Sequence, residues 1–314
     1  MNLVVVGAGA MGSLYGGSLK HAFPDWNISL VDVWKEHVSA INERGLNMER
    51  HGKIDIVRLL ACSPAEVKGH ISTPVDLIIV FTKTMHTESA LDSVRFLIGP
   101  KTMMMTLQNG LGNIERLERF APQDRIIVGV TTNPCDLIGP GKVRMTGRGD
   151  TKIMTASGKS APILEEISSA LTKTGLTCSL EPNILGIIWE KAAFNVCLNG
   201  LTCVTRLTVG GVGASQEGRE LCKSILDEID AVACKKRINF STERVWNTVL
   251  MAFSEHQKHM PSMLQDRLAK RKTEVESIQG CIIQSGQEVG VPTPFTHMLY
   301  QLIRIVEQAY DWEI

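Results

Sequence analysis

The sequence predicts an α/β amino-terminal domain built on a parallel sheet, followed by an all-α carboxy-terminal domain. Two observations carry this. In the first half, short apolar runs alternate with helix-like segments of about ten residues, the pattern of strands and crossover helices in a sheet covered on both faces. After about Glu181 the strand signals stop, and the remaining segments have helical periodicity. A chain of 314 residues is long enough for two domains. The change of texture puts the boundary near residue 181, giving 1–181 and 182–314.

The elements follow in order. "NLVVVG" is the first strand and "SLYGGSLKHA" its helix; "NISLVD" and "EHVSAINERG" repeat the unit, the helix stopping at Gly45. "VDLIIVFT" (Val75 to Thr82) is a clean strand before the helix-like "HTESALDSVRFLIG". "TMMMTLQNG" and "NIERLERF" form the next pair, and "RIIVGVT" is one more strand. The glycine-rich "GPGKVRMTGRGDTKI", Gly139 to Ile153, reads as hairpin-like strands on the sheet edge. "SAPILEEISSALTKTG" is a helix with Pro162 near its first turn. Helices are expected over Ile184–Leu198, Gly218–Lys236, Thr242–Glu255, Ser262–Glu288 and Pro294–Ala309, with "VGGVGAS" near residue 212 as a flexible turn.

Composition excludes some function classes. The apolar content of 44% and charged content of 21% are ordinary for a soluble globular protein. Net charge is zero and "KRKTE" is short, so no nucleic-acid partner is expected. No apolar run reaches about 18 residues, and the N-terminus lacks a basic n-region and cleavage site; no membrane span or signal peptide is expected. Eight cysteines without a C-x-x-C pair fit reduced thiols in a cytoplasmic protein. His256 and His259, on an expected helix, lie among Glu255, Gln257 and Lys258 and have no H-E-x-x-H pattern; no metal site is expected.

"GAGAMG" (Gly7, Ala8, Gly9, Ala10, Met11, Gly12) matches G-x-G-x-x-G between a strand and a helix. Gly7 permits the tight turn, Gly9 lets a pyrophosphate approach a helix N-terminus, and Gly12 lets helix and strand pack closely. The alternative is a glycine turn without a ligand. Asp32 ends the second strand where an acidic side chain accepts from the adenine ribose hydroxyls and repels a 2′-phosphate, which favours NADH over NADPH. Lys35 is close enough to swing toward a phosphate, and Asp32 could also be a helix N-cap. Thr82 with Lys83, and Gln108 with Asn109, follow the third and fourth clear strands, at the carboxyl edge where ligands sit in open parallel sheets. Separately, Asn109-Gly110 is an ordinary turn pair and Lys83 an ordinary exposed lysine.

"IIWEKAAFNVCLNG" (Ile187 to Gly200) is apolar nearly all round, yet Lys191, Asn195 and Asn199 recur every four residues. On an α-helix they share one slowly drifting stripe. Buried polar groups need partners. Either Lys191 pairs with Glu190 or snorkels to water while the amides meet backbone groups, or the stripe faces a ligand.

In this order and spacing "GAGAMG", "FTK", "QNG", "WEKAAFNVCLNGLT", "SMLQDRLAKRKTEVESIQG" and "GVPTP" resemble the ketopantoate reductases (2-dehydropantoate 2-reductases), over almost the whole chain. The resemblance implies a Rossmann-type N-terminal domain, a helical C-terminal domain, and an active site in the cleft between them. There a 2-oxo acid, ketopantoate, is reduced by NAD(P)H to D-pantoate in pantothenate and coenzyme A synthesis. It places Lys191 as the catalytic lysine and Asn195 and Asn199 as substrate-binding asparagines. It places Asn109 and Lys83 near the nicotinamide, Ser262 at the substrate carboxylate, and Glu274 on the substrate hydroxyl. Ser262 also fits an S-x-x-Q capping box, and Glu274 an (i, i−4) pair with Lys270.

Three departures stand out. Asn199-Gly200 replaces a frequent Asn-Pro, no asparagine stands near Val209, and Asp32 replaces an arginine that suits NADPH. Two other functions remain open: a related dehydrogenase of another 2-oxo acid or a 3-hydroxy acid, and a dinucleotide sensor without turnover. The C-terminal helices either form a homodimer surface or use their apolar faces internally.

Overall fold

The computed structural model describes residues 1–312. The chain divides into two compact units: Met1–Gln108 with Asn113–Ile184, and the chain from Leu185 onward with Asn109–Gly112.

The first unit opens with β1 (Asn2–Val6), α1 (Ala10–Ala22), β2 (Asn27–Val31) and α2 (Lys35–Arg44). Next come β3 (Leu46–Arg50), β4 (Lys53–Val57), β5 (Leu60–Cys62), α3 (Val67–His70) and β6 (Leu77–Val80). They are followed by α4 (Thr87–Ser93), β7 (Met103–Thr106), α5 (Asn113–Glu118), β8 (Ile126–Thr131), β9 (Cys135–Gly139) and β10 (Lys142–Met145). β11 (Thr151–Thr155), α6 (Pro162–Lys173) and β12 (Cys178–Leu180) complete it. The main sheet runs β12-β11-β8-β7-β6-β1-β2-β5. From β5 to β8 every pairing is parallel, and β11 then runs antiparallel to β8. In chain order the six parallel strands stand 3-2-1-4-5-6, the Rossmann order, with its reversal between β1 and β6. β6, β7 and β8 are buried at every position, so they read as unbroken apolar runs rather than alternating ones. In register, Val6 faces Val31 on one side and Val80 on the other. The three strands therefore end together, and Gly7, Asp32 and Phe81 leave the sheet at one edge.

A second sheet, β4-β3-β10-β9, departs from the expectation. The Gly139 region does form a hairpin, but β10 pairs parallel with β3 rather than with the edge of the main sheet; only β11 joins that sheet. The β3–β4 hairpin hides in "LNMERHGKIDIV", whose polar residues mask the alternation. Its turn residues His51 and Gly52 both adopt positive φ (50° and 76°), as a two-residue type I′ turn demands, without the usual Asn-Gly signal.

The second unit is helical: α7 (Ile184–Thr205), α8 (Val209–Ala214), α9 (Gln216–Lys235), α10 (Thr242–Glu255), α11 (Ser262–Leu268), α12 (Cys281–Val289) and α13 (Pro294–Gln308). α7 runs through its core: Ala192, Ala193, Val196, Cys197 and Leu198 are buried among Val212, Ile225, Ile229, Val249 and Ile278. Among the described residues α7 is the one helix long and apolar enough to cross a membrane by length and composition, and most of it is buried inside this core. Ser215 and Ser241 cap α9 and α10 through the Gly218 and Arg244 N–H groups. α13 is capped from another helix: the buried Glu228 of α9 accepts from Phe295 N (2.7 Å), Thr296 N (2.9 Å) and the Thr296 hydroxyl (2.7 Å).

Three helical expectations change. "VGGVGA" is α8, not a flexible turn, with Thr208 accepting from Gly211 N. Residues 262–288 are not one helix. α11 stops at Leu268, Lys270 takes φ 52°, and the chain resumes through a π-helical turn, Glu276–Gly280, leading into α12. His256 is the C-cap of α10, so His256 and His259 do not share a helix face.

Candidate functional site

The glycine loop is fixed by what a side chain would hit. Gly7 has φ 93°, and a Cβ there would lie 2.6 Å from Thr82 N; a Cβ on Gly12 would lie 1.9 Å from the Gly7 carbonyl. Gly9 is different: a Cβ there would meet nothing within 4 Å, and as the N-cap of the 13-residue α1 it makes no side-chain cap. The first turn of α1, which contains Ala10, Met11 and Gly12, carries no acidic residue. An open approach over Gly9 onto uncapped helix N–H groups fits a pyrophosphate. Asp32 braces this loop: its carboxylate accepts from Ala8 N (2.6 Å) and Trp34 N (2.9 Å). It is not the cap of α2, whose N-cap is Trp34.

A histidine that the motif did not reveal supports the loop from behind. His37 is fully buried, and its Nδ1 accepts from Gly141 N (2.9 Å) in the β9–β10 turn. Nε2 therefore carries the proton toward Ser13 Oγ (3.2 Å), and Ser13 donates to the Ala8 carbonyl (2.7 Å). Trp34 stacks on the ring at 5.3 Å. Burial, which outweighs the nearby Asp32 carboxylate, holds His37 below its ordinary range and so keeps it neutral. Only the second sheet brings Gly141 to this position, and that sheet was not legible in sequence.

At the ends of β6 and β7, the Gln108 amide donates to the Thr82 carbonyl (2.6 Å) and Thr87 Oγ1 (2.9 Å) and accepts from Thr106 Oγ1 (2.8 Å). Gln108 is thus a brace between strand ends. Lys83, half-buried, leads into a 3₁₀ turn, Thr84–His86.

In the helical unit, Lys191 and Asn195 are half-buried and Asn199 is buried. Glu190 accepts from Arg244 Nη2 (2.6 Å) and Ser241 N (3.1 Å). The carboxylate whose field reaches Lys191 is Glu274. Burial pushes the lysine down to about 8, and Glu274 opposes that shift. An ammonium poised near neutrality suits proton donation. The helix break after Leu268 removes the (i, i−4) geometry between Glu274 and Lys270. Asn109 belongs to this unit because its loop docks on the π-helical turn: Leu111 N donates to the Ser277 carbonyl (2.9 Å) and Cys281 Sγ to the Leu111 carbonyl (3.3 Å). Gly110, at φ 84°, permits this approach, since a Cβ would lie 2.2 Å from Ser277 O. Ser262 is exposed in the first turn of α11 and does not cap it; Pro261 is the N-cap. Gly7–Gly12, Asp32 and Lys83 therefore lie in the first unit, and Asn109, Lys191, Asn195, Asn199, Ser262 and Glu274 in the second.

A Rossmann-order sheet with an open glycine loop, joined to a helical unit with a lysine lowered by burial, defines a two-domain oxidoreductase. The chain belongs to the ketopantoate reductase family: the model for ketopantoate reductase PanE/ApbA matches residues 3–158, and that for its C-terminal part matches 183–307. It is 31% identical to the 2-dehydropantoate 2-reductase of Lactococcus lactis over 313 residues, 98% of each chain. With the enzyme of that name from Pyrococcus horikoshii it shares 29% over 307 residues, again 98% of each. Among solved structures, a D-mandelate dehydrogenase in complex with NADH and anilino(oxo)acetate superposes with a TM-score of 0.91 at 30% identity, covering 99% of this chain and 100% of that one. A PanE/ApbA family ketopantoate reductase from Ralstonia eutropha gives 0.89 at 25% identity, with 99% and 100% covered.

Proposed function

We propose that this protein reduces 2-dehydropantoate to D-pantoate with NADH, and that Lys191 is its proton donor. The observation that carries the reading is Lys191 itself, held at about 8 by burial with Glu274 beside it. Reduction of a 2-oxo acid requires a hydride on C2 and a proton on the oxygen that becomes the hydroxyl. The reduced nicotinamide supplies the hydride when bound. The Lys191 ammonium polarises the carbonyl and passes its proton to the forming alkoxide, a contribution of roughly 10²–10⁴-fold for a positioned general acid. Glu274 accepts a hydrogen bond from the substrate hydroxyl and favours the charged lysine. Asn195 and Asn199 hold the acid through neutral amides. Ser262 meets the carboxylate, and Asn109 and Lys83 stand by the nicotinamide.

Gly7 to Gly12 cradle the pyrophosphate. Each Asp32 oxygen accepts one backbone N–H and keeps capacity for a ribose hydroxyl. A 2′-phosphate would bring like charge to the same carboxylate, so NADH is preferred over NADPH. Eight free cysteines suit a reducing, cytoplasmic setting.

A second substrate reading has its own support: similarity to a dehydrogenase of D-mandelate makes aryl 2-oxo acids the alternative to ketopantoate. Oxidation of NADH and NADPH, side by side, with ketopantoate and with phenylglyoxylate tests both readings. The expected result is the highest kcat/KM for NADH with ketopantoate. Preference for phenylglyoxylate transfers the activity to the second reading, and no oxidation with any 2-oxo acid removes both.

A further inference from the structure

Glu274 ends an irregular segment, residues 269–274, between α11 and the helical residue Val275 that opens the π-helical turn. Side chains from α13 and the turn after it fasten the chain on both sides of Glu274. Thr273 donates through both its backbone N–H (2.7 Å) and its hydroxyl (2.6 Å) to one oxygen of Glu307. The Thr273 hydroxyl in turn accepts from Val275 N (3.2 Å). On the far side, Glu276 accepts from Tyr300 OH (2.9 Å) and pairs with Arg304 (3.1 Å). Arg304 also meets the second Glu307 oxygen at 3.6 Å. Tyr310 OH donates to the Arg271 carbonyl (2.9 Å).

The Glu307 side chain is only 7% exposed. A buried carboxylate is costly unless its hydrogen bonds are met, and this one meets the residue immediately before Glu274. We propose that Glu307, acting through Thr273, is a positioning residue for Glu274, so that the C-terminal helix sets how Glu274 approaches Lys191. This rests on the assignment of Lys191 and Glu274 to the reaction. Thr273 and Glu274 share a peptide bond, so slack at one moves the other, and a displacement of about 1 Å at a reacting group costs roughly 10²-fold. Of the neighbouring charged groups, Glu190 faces Arg244 and Ser241 of the α10 region, Asp266 faces Arg271, and Glu276, Arg304 and Glu307 face one another.

The test uses Glu307→Gln, Thr273→Val and Thr273→Ser in the full chain, with Glu274→Gln alongside. The readouts are kcat, KM, NADH affinity by fluorescence, melting temperature and the alkaline limb of the kcat–pH profile. Glu307→Gln and Thr273→Val are expected to lower kcat about 10- to 100-fold with unchanged NADH affinity. They should also move the alkaline limb to lower pH, because Lys191 loses the field that keeps it charged. Thr273→Ser, which keeps the hydroxyl, restores both. A limb that stays in place while only the melting temperature falls reduces Glu307 to a structural anchor and overturns the proposal. If Glu307→Gln does not fold, Thr273→Val against Thr273→Ser decides by the same criteria. If Glu274→Gln leaves kcat and the limb unchanged, the assignment of Glu274 has failed, and this inference goes with it.

Discussion

The glycine loop of the first unit and the α7 stripe of the second are built on opposite principles. The loop presents backbone: Gly7 and Gly12 are dictated by atoms a Cβ would strike, Gly9 leaves open space, and the N–H groups at the start of α1 are the proposed binding atoms. Asp32, His37 and Ser13 hold that backbone still. The stripe presents side chains on a regular helix, and the chemistry proposed for it rests on the burial of Lys191 and one opposed charge. A backbone site tolerates almost no substitution at the glycines but many at its periphery. A side-chain site can lose its chemistry with the fold intact. Mutations should therefore fail differently in the two regions.

The largest effect is expected at Gly12→Ala. The new methyl falls inside the Gly7 carbonyl, so NADH binding by fluorescence should be lost; near-normal binding would mean the loop is not the cofactor site. Next is Glu228→Ala, which strips the tertiary cap from α13. Urea unfolding should show a loss of about 2–4 kcal/mol, with NADH affinity in the first unit unchanged.

His37→Leu breaks the Gly141–His37–Ser13 relay and should weaken NADH binding roughly tenfold, about 1.4 kcal/mol, with little change in kcat at saturation. Its sign with pH is fixed. Burial holds the folded value below the ordinary 6.5, so the unfolded chain binds the proton first. The stability His37 contributes is whole above 6.5 and is lost as pH falls through the lower folded value; His37→Leu should flatten that acid slope in melting curves. Lys191 acts at the other end of the scale: kcat should decline as pH rises through about 8, where the ammonium is lost. The smallest effect is expected at Ser262→Ala. This exposed, non-capping hydroxyl should raise the KM for the 2-oxo acid a few-fold without shifting the melting temperature.

Legibility in the sequence follows the same division. Five of the six parallel strands and the glycine loop could be read because both are local signals, an apolar run and a motif; β5, only three residues long, could not. The polar stripe could be read because period four stands out on an apolar helix. The second sheet could not: β3 and β10 are far apart in sequence, and their polar faces hide the alternation. Nor could the break between α11 and α12, since "AKRKTEVESIQG" contains good helix formers and no proline. Tertiary contacts override propensity there: Glu307 takes the Thr273 N–H, and Leu111 donates to the Ser277 carbonyl. His37, Glu228 and Glu307 are isolated polar residues whose backbone donors, Gly141, Phe295 with Thr296, and Thr273, lie more than thirty positions away, so no window of sequence reveals those bonds.

The most direct measurement is single-turnover hydride transfer from NADH to ketopantoate by Lys191→Ala, with NADH affinity determined on the same sample. A rate lowered by about 10²–10⁴-fold at unchanged affinity is the expected result. Wild-type turnover by the variant would contradict the account, because nothing else proposed for this protein supplies the proton.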